Sequence, residues 1–232
     1  AQYGVRIKGE YDYIAPFDFF KVGSNPQVAY FYDQGRERFV SMSVPLQGES
    51  VIPLVDQGGA FNPNNVAMQM LWGGLFGSAS AMNNGRAVME DDGGKRYTIS
   101  FTISSDDDGN ALLQPQYKYE ITAEGIDEAT SFTTSQSANF LYYSTGNKIV
   151  CVSFSTNNQM NVYEFPEGQQ VDYIECDQKG NANELWVGLS DGSATAKSGT
   201  VVVLTMSTDG SLTESRRYEN ICGQVVDFEY KN

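Results

Sequence analysis

Carboxylates are the only acid–base groups that this sequence supplies in number. It contains 29 Asp and Glu residues and no histidine, which removes the commonest general base and the commonest metal ligand. Catalytic triads that need histidine are therefore excluded, whereas a pair of carboxylates could still hydrolyse a glycosidic bond. Asp18, Glu175 and Asp227 are the acids best placed for such a pair, since each lies on a strand expected near the centre of the fold. Because acids are scattered over the whole chain, we assign no catalytic residue.

The run Asp106–Asp107–Asp108 resembles a calcium-binding loop, but its spacing is wrong. An EF-hand needs glycine at the sixth position and glutamate at the twelfth, and this chain has Ala111 and Tyr117 there. The segment LWGGLFG lacks the Lys-Ser/Thr ending of a phosphate-binding loop, and GxGxxG is absent. We therefore expect no metal site and no cofactor.

Aromatic side chains are the better candidates for binding. A flat ring can stack on the C–H face of a sugar while neighbouring amides and carboxylates bind its hydroxyls. Trp186 alternates with Leu185 and Val187, which favours a place in the core, whereas Trp72 lies in an irregular Gly-rich segment and is the ring expected to be most exposed. The candidate binding residues are Trp72, Phe76, Tyr142, Tyr143 and Trp186.

The elements that must position these rings are short β-strands. Aromatic and β-branched runs alternate with turns such as TGNK, LSDG and STDG along the whole chain. The same order of elements recurs along the chain: a first strand, a hairpin of two strands, and a further strand. The repeating unit is therefore four antiparallel strands, with a period of roughly 50 residues. This favours one all-β domain over 1–232, a β-propeller of about five blades, or part of a larger ring. The alternative is a β-sandwich with long hairpins.

The turns support this interpretation. Ser105–Gly109 matches the core of the Asp box, a turn between the third and fourth strands of a propeller blade, and Ser207–Gly210 falls at the equivalent place one residue short. The terminal strand Val225–Tyr230 is expected to complete a blade begun by the N-terminal strands. The stretch 57–84 breaks the pattern; it is either a functional loop or, as we favour, an inter-blade connection with one strand inside it. A weak helix is predicted around Asn65–Leu71.

The net charge of −14 disfavours nucleic acid and anionic membranes as partners. No apolar run could span a bilayer, and the first residues do not form a signal peptide. The chain is therefore expected to start inside a longer precursor, as the C-terminal part of a longer lipoprotein, or to be a mature or trimmed form. Cys151, Cys176 and Cys222 form no CxxC pair, and Cys151 and Cys222 are typical of small buried apolar residues. The sequence leaves open a disulfide between two of the three.

The last part of the chain resembles a known family. The segments NFLYYSTGNKIVCVSF, QQVDYIECD, ELWVGLSDGSATAKSGTVVVLTMSTDGSL and GQVVDFEYKN follow one another in the order seen in the C-terminal propeller repeats of PKD-like family lipoproteins of Bacteroidetes. The resemblance covers the C-terminal portion and extends only loosely to the first half. The lipoprotein cysteine and the PKD-like domain of that family are absent from this sequence.

The resemblance implies an exported protein of the cell envelope, in the periplasm or on the outer membrane surface, held by a lipid anchor outside this chain. It implies no reaction. We therefore expect a non-enzymatic domain that binds a glycan or an envelope protein in polysaccharide acquisition. The alternative is a glycoside hydrolase or lyase that uses carboxylates near the propeller axis.

Overall fold

A computed structural model of the chain describes residues 14–15, 20–21, 27–33, 38–44, 49–51, 68–76, 84–108, 111–135, 137–176, 183–192 and 199–228. By the density of its internal contacts the chain divides into two compact units, Ala1–Lys118 and Tyr119–Asn232. In the described residues of each unit, strands form two antiparallel sheets.

The strands follow the chain in order. The first sheet contains β1 (Ile14–Ala15), β2 (Phe20–Lys21), β3 (Gln27–Asp33), β4 (Arg38–Val44) and β5 (Glu49–Val51). The second contains β6 (Met68–Phe76), β7 (Asn84–Asp91), β8 (Arg96–Ser105) and β9 (Ala111–Glu120). The third contains β10 (Ser131–Thr134), β11 (Phe140–Thr145), β12 (Lys148–Ser153) and β13 (Gln159–Glu164), and the fourth β14 (Gln170–Cys176), β15 (Glu184–Ser190), β16 (Gly199–Met206) and β17 (Leu212–Cys222).

The second, third and fourth sheets are meanders in which neighbouring strands are also consecutive in sequence. The orders are β6-β7-β8-β9, β10-β11-β12-β13 and β14-β15-β16-β17, and in the first sheet β1 and β2 both pair with β3. The chain is therefore an all-β, β-propeller-like repeat of four-stranded antiparallel blades, as the sequence predicts. A sandwich would instead route strands between two sheets. The described residues form four blades; the segments predicted to complete a fifth fall largely outside them.

In the first unit an aromatic contact joins the two sheets. Gly85, Ala87, Ile99 and Phe101 lie on one face of the second sheet, because they are cross-strand partners in register. The Phe101 ring packs edge-on against Phe39 of β4, with centroids 5.5 Å apart. A Cβ atom added to Gly85 would overlap that ring, so a glycine is required for Phe101 to lie flat across its partner strand.

In the second unit the third and fourth sheets share one core. Its third-sheet side chains include Tyr142, Ile149 and Cys151, and its fourth-sheet side chains include Leu185 and Val202. Hydroxyls reinforce the packing of the two leading strands: Ser131 Oγ accepts from the Ile174 amide at 3.1 Å, and Thr133 Oγ1 accepts from the Cys176 amide at 3.1 Å. The outer strand β13 leaves Met160 and Val162 exposed, as expected for the last strand of a blade.

Two sequence-based predictions are wrong. The weak helix around Asn65–Leu71 is contradicted where it can be compared, since Met68–Phe76 is a strand; its alternating residues satisfy a sheet, and Gly73 and Gly74 disfavour a helix. The terminal strand Val225–Tyr230 is not formed over residues 225–228, which have no regular structure. The one strand expected inside 57–84 is present as β6; residues 57–67 and 77–83, the rest of the predicted connection, lie outside the described residues.

Candidate ligand-binding site

Trp72 and Phe76 form a ring pair on β6, an edge strand of the second sheet. Both rings are half-buried, their centroids are 6.3 Å apart, and their planes are tilted by 34°. Gly74 lies between them, and a Cβ atom added there would stand 3.2 Å from the Phe76 ring and 3.5 Å from the Trp72 ring. Gly74 is itself buried, so the glycine lets the two rings close over β6 and form one aromatic surface on which a ligand can stack.

A β-bulge decides which way these rings point. Met70 pairs with Met89, but Trp72 pairs with Val88, so Leu71 is an extra residue on β6. A bulge of one residue reverses the side to which the following residues project. Met70 therefore lies on the face that packs towards the first sheet, whereas Trp72, Gly74 and Phe76 lie on the opposite face.

Polar side chains continue this opposite face across the sheet. Asn84 is the cross-strand partner of both Phe76 and Thr102, and Asn84 is exposed. Thr102 Oγ1 donates to Gln114 Oε1 of β9 at 3.4 Å. Sequence reasoning missed these three residues, Asn84, Thr102 and Gln114, because only the register between strands aligns them with the rings.

Arg86 lies two residues after Asn84 on β7 and projects from the same face, as the cross-strand partner of Gly74. Its Nη1 donates to the Gly85 carbonyl oxygen at 2.8 Å. Desolvation by burial lowers the pKa of Arg86 from its ordinary value, but an arginine keeps its charge at neutral pH. The ring pair therefore has a cation on the neighbouring strand β7.

Trp186, the third predicted ring, is held by other side chains of the second unit. The Arg216 guanidinium lies 5.7 Å from its ring centroid, and the Phe228 ring packs edge-on at 6.1 Å. Arg216 is itself fixed by Glu184, with Nη2 and Oε1 2.7 Å apart. A ligand would have to displace these groups, so the core interpretation of Trp186 fits its surroundings better than a stacking role.

The predicted roles of Tyr142 and Tyr143 in binding do not fit their positions. Both side chains are fully buried, so neither ring can meet a ligand. The Tyr142 hydroxyl donates to the Gly210 carbonyl oxygen at 3.1 Å, and the Tyr143 hydroxyl donates to the Glu124 carbonyl oxygen at 2.6 Å. Burial raises the pKa of both phenols. Because the two residues are adjacent on β11, their side chains project from opposite faces of the blade, and both faces are covered. The sequence pattern alone cannot distinguish a covered face from an exposed one.

The acids considered for a hydrolase lie in different surroundings. Asp18 lies outside the described residues. Glu175 is half-buried on β14 as the partner of Trp186, and Asp227 is exposed, with its carboxylate accepting from the Phe228 amide at 2.8 Å. No group of three or more Asp, Glu or Cys side chains that could hold a metal ion occurs within the described residues.

Other acids stabilise turns, as predicted for the Asp-box-like segments. Asp106 Oδ1 accepts from the Asp108 amide at 3.1 Å in the turn between the third and fourth strands of the second sheet. In the fourth sheet, the Ser211 hydroxyl and amide both donate to Asp209 Oδ1, at 2.7 and 3.0 Å. These bonds lower the pKa of Asp209, which is typical of a structural carboxylate.

A pocket of about 450 Å³ lies in the second unit, between β9 and β10. Its lining residues are Glu120, Ile121, Thr122, Ala123, Gly125, Ile126, Asp127 and Glu128. The segment between β9 and β10 that forms this pocket is held at Glu124 by two contacts. The Tyr143 hydroxyl donates to the Glu124 carbonyl oxygen, and Lys148 Nζ forms an ion pair with the Glu124 carboxylate at 3.2 Å. The residues that line the pocket include no aromatic ring, so the pocket lacks the stacking surface that the ring pair offers.

The two cysteines whose side chains the structure describes, Cys151 and Cys176, are held in the core. Cys151 and Cys176 are both buried free thiols, so they are not bonded to each other. Burial is the main cause that raises the pKa of Cys151, to about 12, which keeps the thiol protonated and unreactive.

The fold and this site define a class: a β-propeller-like repeat domain with a half-exposed aromatic pair and a polar face, and without a metal cluster in its described part. The described residues also contain no helix that could cross a membrane. No protein-family model and no curated protein sequence matches this sequence.

Solved structures do match the fold. One is the Cps50 (Swd1) β-propeller domain of Myceliophteria thermophila, at 8% identity and a TM-score of 0.46, over 82% of this chain and 55% of that one. Another is the dihydro-heme d1 dehydrogenase NirN in complex with DHE, at 10% identity and a TM-score of 0.45, over 93% of this chain and 39% of that one. The chain thus spans about half or less of the length of these proteins, and likenesses at this level carry no argument about function.

Proposed function

We propose that this chain is a non-enzymatic domain that binds a glycan through the ring pair Trp72–Phe76. The observation that carries the proposal is the geometry of the pair: two half-exposed rings on an edge strand, with centroids 6.3 Å apart, form one aromatic surface. Stacking on such rings is a common way to bind the apolar face of a sugar, while neighbouring amides take its hydroxyls. Asn84 is an exposed amide on the same face.

The chemistry of the remaining residues supports binding over catalysis. Histidine is absent from the sequence, Cys151 is held as a protonated thiol, and several carboxylates are engaged in turns or ion pairs. A ring pair can serve as the whole recognition element without any of these groups. A partner protein on the same face is the outcome to be distinguished from a glycan.

The cellular setting belongs to the same proposal and is supported only by the resemblance of the C-terminal segments. On that basis the domain is a propeller of a lipid-anchored Bacteroidetes lipoprotein, located in the periplasm or on the outer membrane surface and engaged in polysaccharide acquisition. Exposure on intact cells, tested by protease digestion and antibody labelling of the full-length protein, would check the location independently of binding.

The binding proposal is tested by a glycan-array screen followed by affinity electrophoresis in gels that contain the best polysaccharide. Trp72→Ala and Phe76→Ala are expected to weaken binding by about tenfold or more, because each removes one stacking surface. Tyr117→Ala is the matched control, since Tyr117 is an exposed ring on the outer strand of the same sheet. Equal retardation of all four proteins, or no binding to any glycan, would overturn the proposal.

A further inference from the structure

The ring pair stands at one end of a row of side chains that crosses the second sheet. Phe76 of β6, Asn84 of β7 and Thr102 of β8 are consecutive cross-strand partners. The row continues to β9, because Thr102 Oγ1 donates to Gln114 Oε1. We call these four residues, Phe76, Asn84, Thr102 and Gln114, the polar row.

Cross-strand partners project from the same face of a sheet, so the polar row presents its side chains side by side. Neighbouring strands are about 4.8 Å apart, which makes the row roughly 14 Å long from β6 to β9. Asn84 is exposed, and Phe76, Thr102 and Gln114 are partly exposed. Further along the strands, the central side chains of the same face, Val88, Thr98 and Ser100, are buried, whereas Trp72 and Arg86 beside them are partly exposed. The polar row is therefore the accessible margin of this face.

The chemistry of the row changes along its length. It starts with an aromatic ring, continues with an exposed amide that can both donate and accept, and ends with a hydroxyl and a second amide. None of the four side chains carries a charge. The net charge of the chain is −14, which disfavours a polyanionic ligand near its surface.

We propose that the polar row is a multi-subsite platform for a neutral linear oligosaccharide that runs across the strands from Phe76 to Gln114. This inference rests on the proposed function and specifies its substrate class. One sugar ring stacks on the Trp72–Phe76 pair, and the next units meet Asn84 and then the Thr102–Gln114 pair. The row is too long for one sugar unit, so affinity depends on chain length up to about three units and then levels off.

The test measures dissociation constants by NMR titration or calorimetry with a series of neutral gluco-oligosaccharides, from disaccharide to pentasaccharide, and with a uronic-acid trisaccharide. Affinity is expected to rise from disaccharide to trisaccharide and change little beyond. Gln114→Ala and Thr102→Val are expected to weaken trisaccharide binding by roughly two- to tenfold, which is the effect of one net hydrogen bond. Both variants should weaken trisaccharide binding more than disaccharide binding, because only the third sugar unit meets these two side chains.

Gln69→Ala is the matched control, because it makes the same change at an exposed glutamine of the same sheet, at the end of β6 away from Phe76. Equal affinities for all chain lengths, or equal losses for all lengths in Gln114→Ala, would overturn the subsite inference and leave glycan binding at the ring pair intact. Preference for the uronic-acid trisaccharide would overturn the neutral class and point to Arg86. Unchanged binding in Trp72→Ala and Phe76→Ala, or no binding of any oligosaccharide, would overturn the proposed function itself.

Discussion

Val225 lies directly on Gly188, so closely that a Cβ atom on the glycine would overlap the valine side chain. Gly188 is on β15, and Val225 belongs to the irregular segment after β17. The same segment places the Phe228 ring against Tyr173 and Trp186, with centroids 5.9 and 6.1 Å apart. Residues 225–228 thus pack across one face of the fourth sheet without joining its ladder of hydrogen bonds.

Gly188→Ala is therefore expected to destabilise the protein. The added methyl group must push Val225 away or strain β15, and overpacking of this kind costs about 1–3 kcal/mol. Urea unfolding followed by tryptophan fluorescence would measure the change, and Trp186 beside the contact makes that signal sensitive to it. Gly223→Ala is the control, because no atom lies within 4 Å of a Cβ added there. Val225→Ala in the Gly188→Ala background should recover part of the loss; a strictly additive double variant would show that the two side chains do not meet.

Tyr142→Phe is expected to lower the free energy of unfolding by about 1–2 kcal/mol. The change removes the hydroxyl that donates to the Gly210 carbonyl oxygen at 3.1 Å and leaves that buried acceptor unsatisfied. Chemical denaturation measures the loss, and Tyr117→Phe is the control, since an exposed ring should change stability by less than about 0.5 kcal/mol. If Tyr142→Phe instead altered glycan binding without a change in stability, the assignment of this ring to the core would be wrong.

Stability is expected to fall in alkaline solution, in part because of Cys151. Burial raises its pKa to about 12 in the folded protein, whereas an unfolded cysteine ionises near pH 8.5. The stabilisation that this thiol contributes is therefore fully present below the pKa of the unfolded state. It is lost as the pH rises towards the pKa of the folded state. In Cys151→Ala the free energy of unfolding should fall less steeply with pH, by up to about 1.4 kcal/mol per unit between about pH 9 and pH 11. Val150→Ala, a buried neighbour without a proton to lose, should lower stability without changing that slope.

Thiol labelling tests the same burial by a different route. In a Cys222→Ser background the remaining cysteines, Cys151 and Cys176, are both buried free thiols. We expect no rapid reaction with a water-soluble disulfide reagent near neutral pH and complete reaction of both after unfolding in guanidinium. Rapid labelling of one thiol in the folded protein would show that the core of the second unit opens under native conditions.

The sequence by itself determined the fold class, because alternating apolar residues and turn residues are local signals. The third strand of the fourth blade, GTVVVLTM, and its STDG turn are found where the pattern puts them. The absence of histidine is likewise a fact of composition, and it narrows the chemistry that any fold of this chain could perform. Nothing in these signals depends on which residues meet across the fold.

Only the tertiary structure decided which aromatic rings are accessible to a ligand. Tyr142 and Tyr143 have the same local pattern as a surface platform, yet both blade faces are covered and both rings are buried. Trp72 turns away from Met70 because of the extra residue Leu71, and Asn84, Thr102 and Gln114 line up with Phe76 through strand register and one side-chain hydrogen bond. Register and bulges arise from pairing between distant segments, so alternation along a single strand cannot specify them.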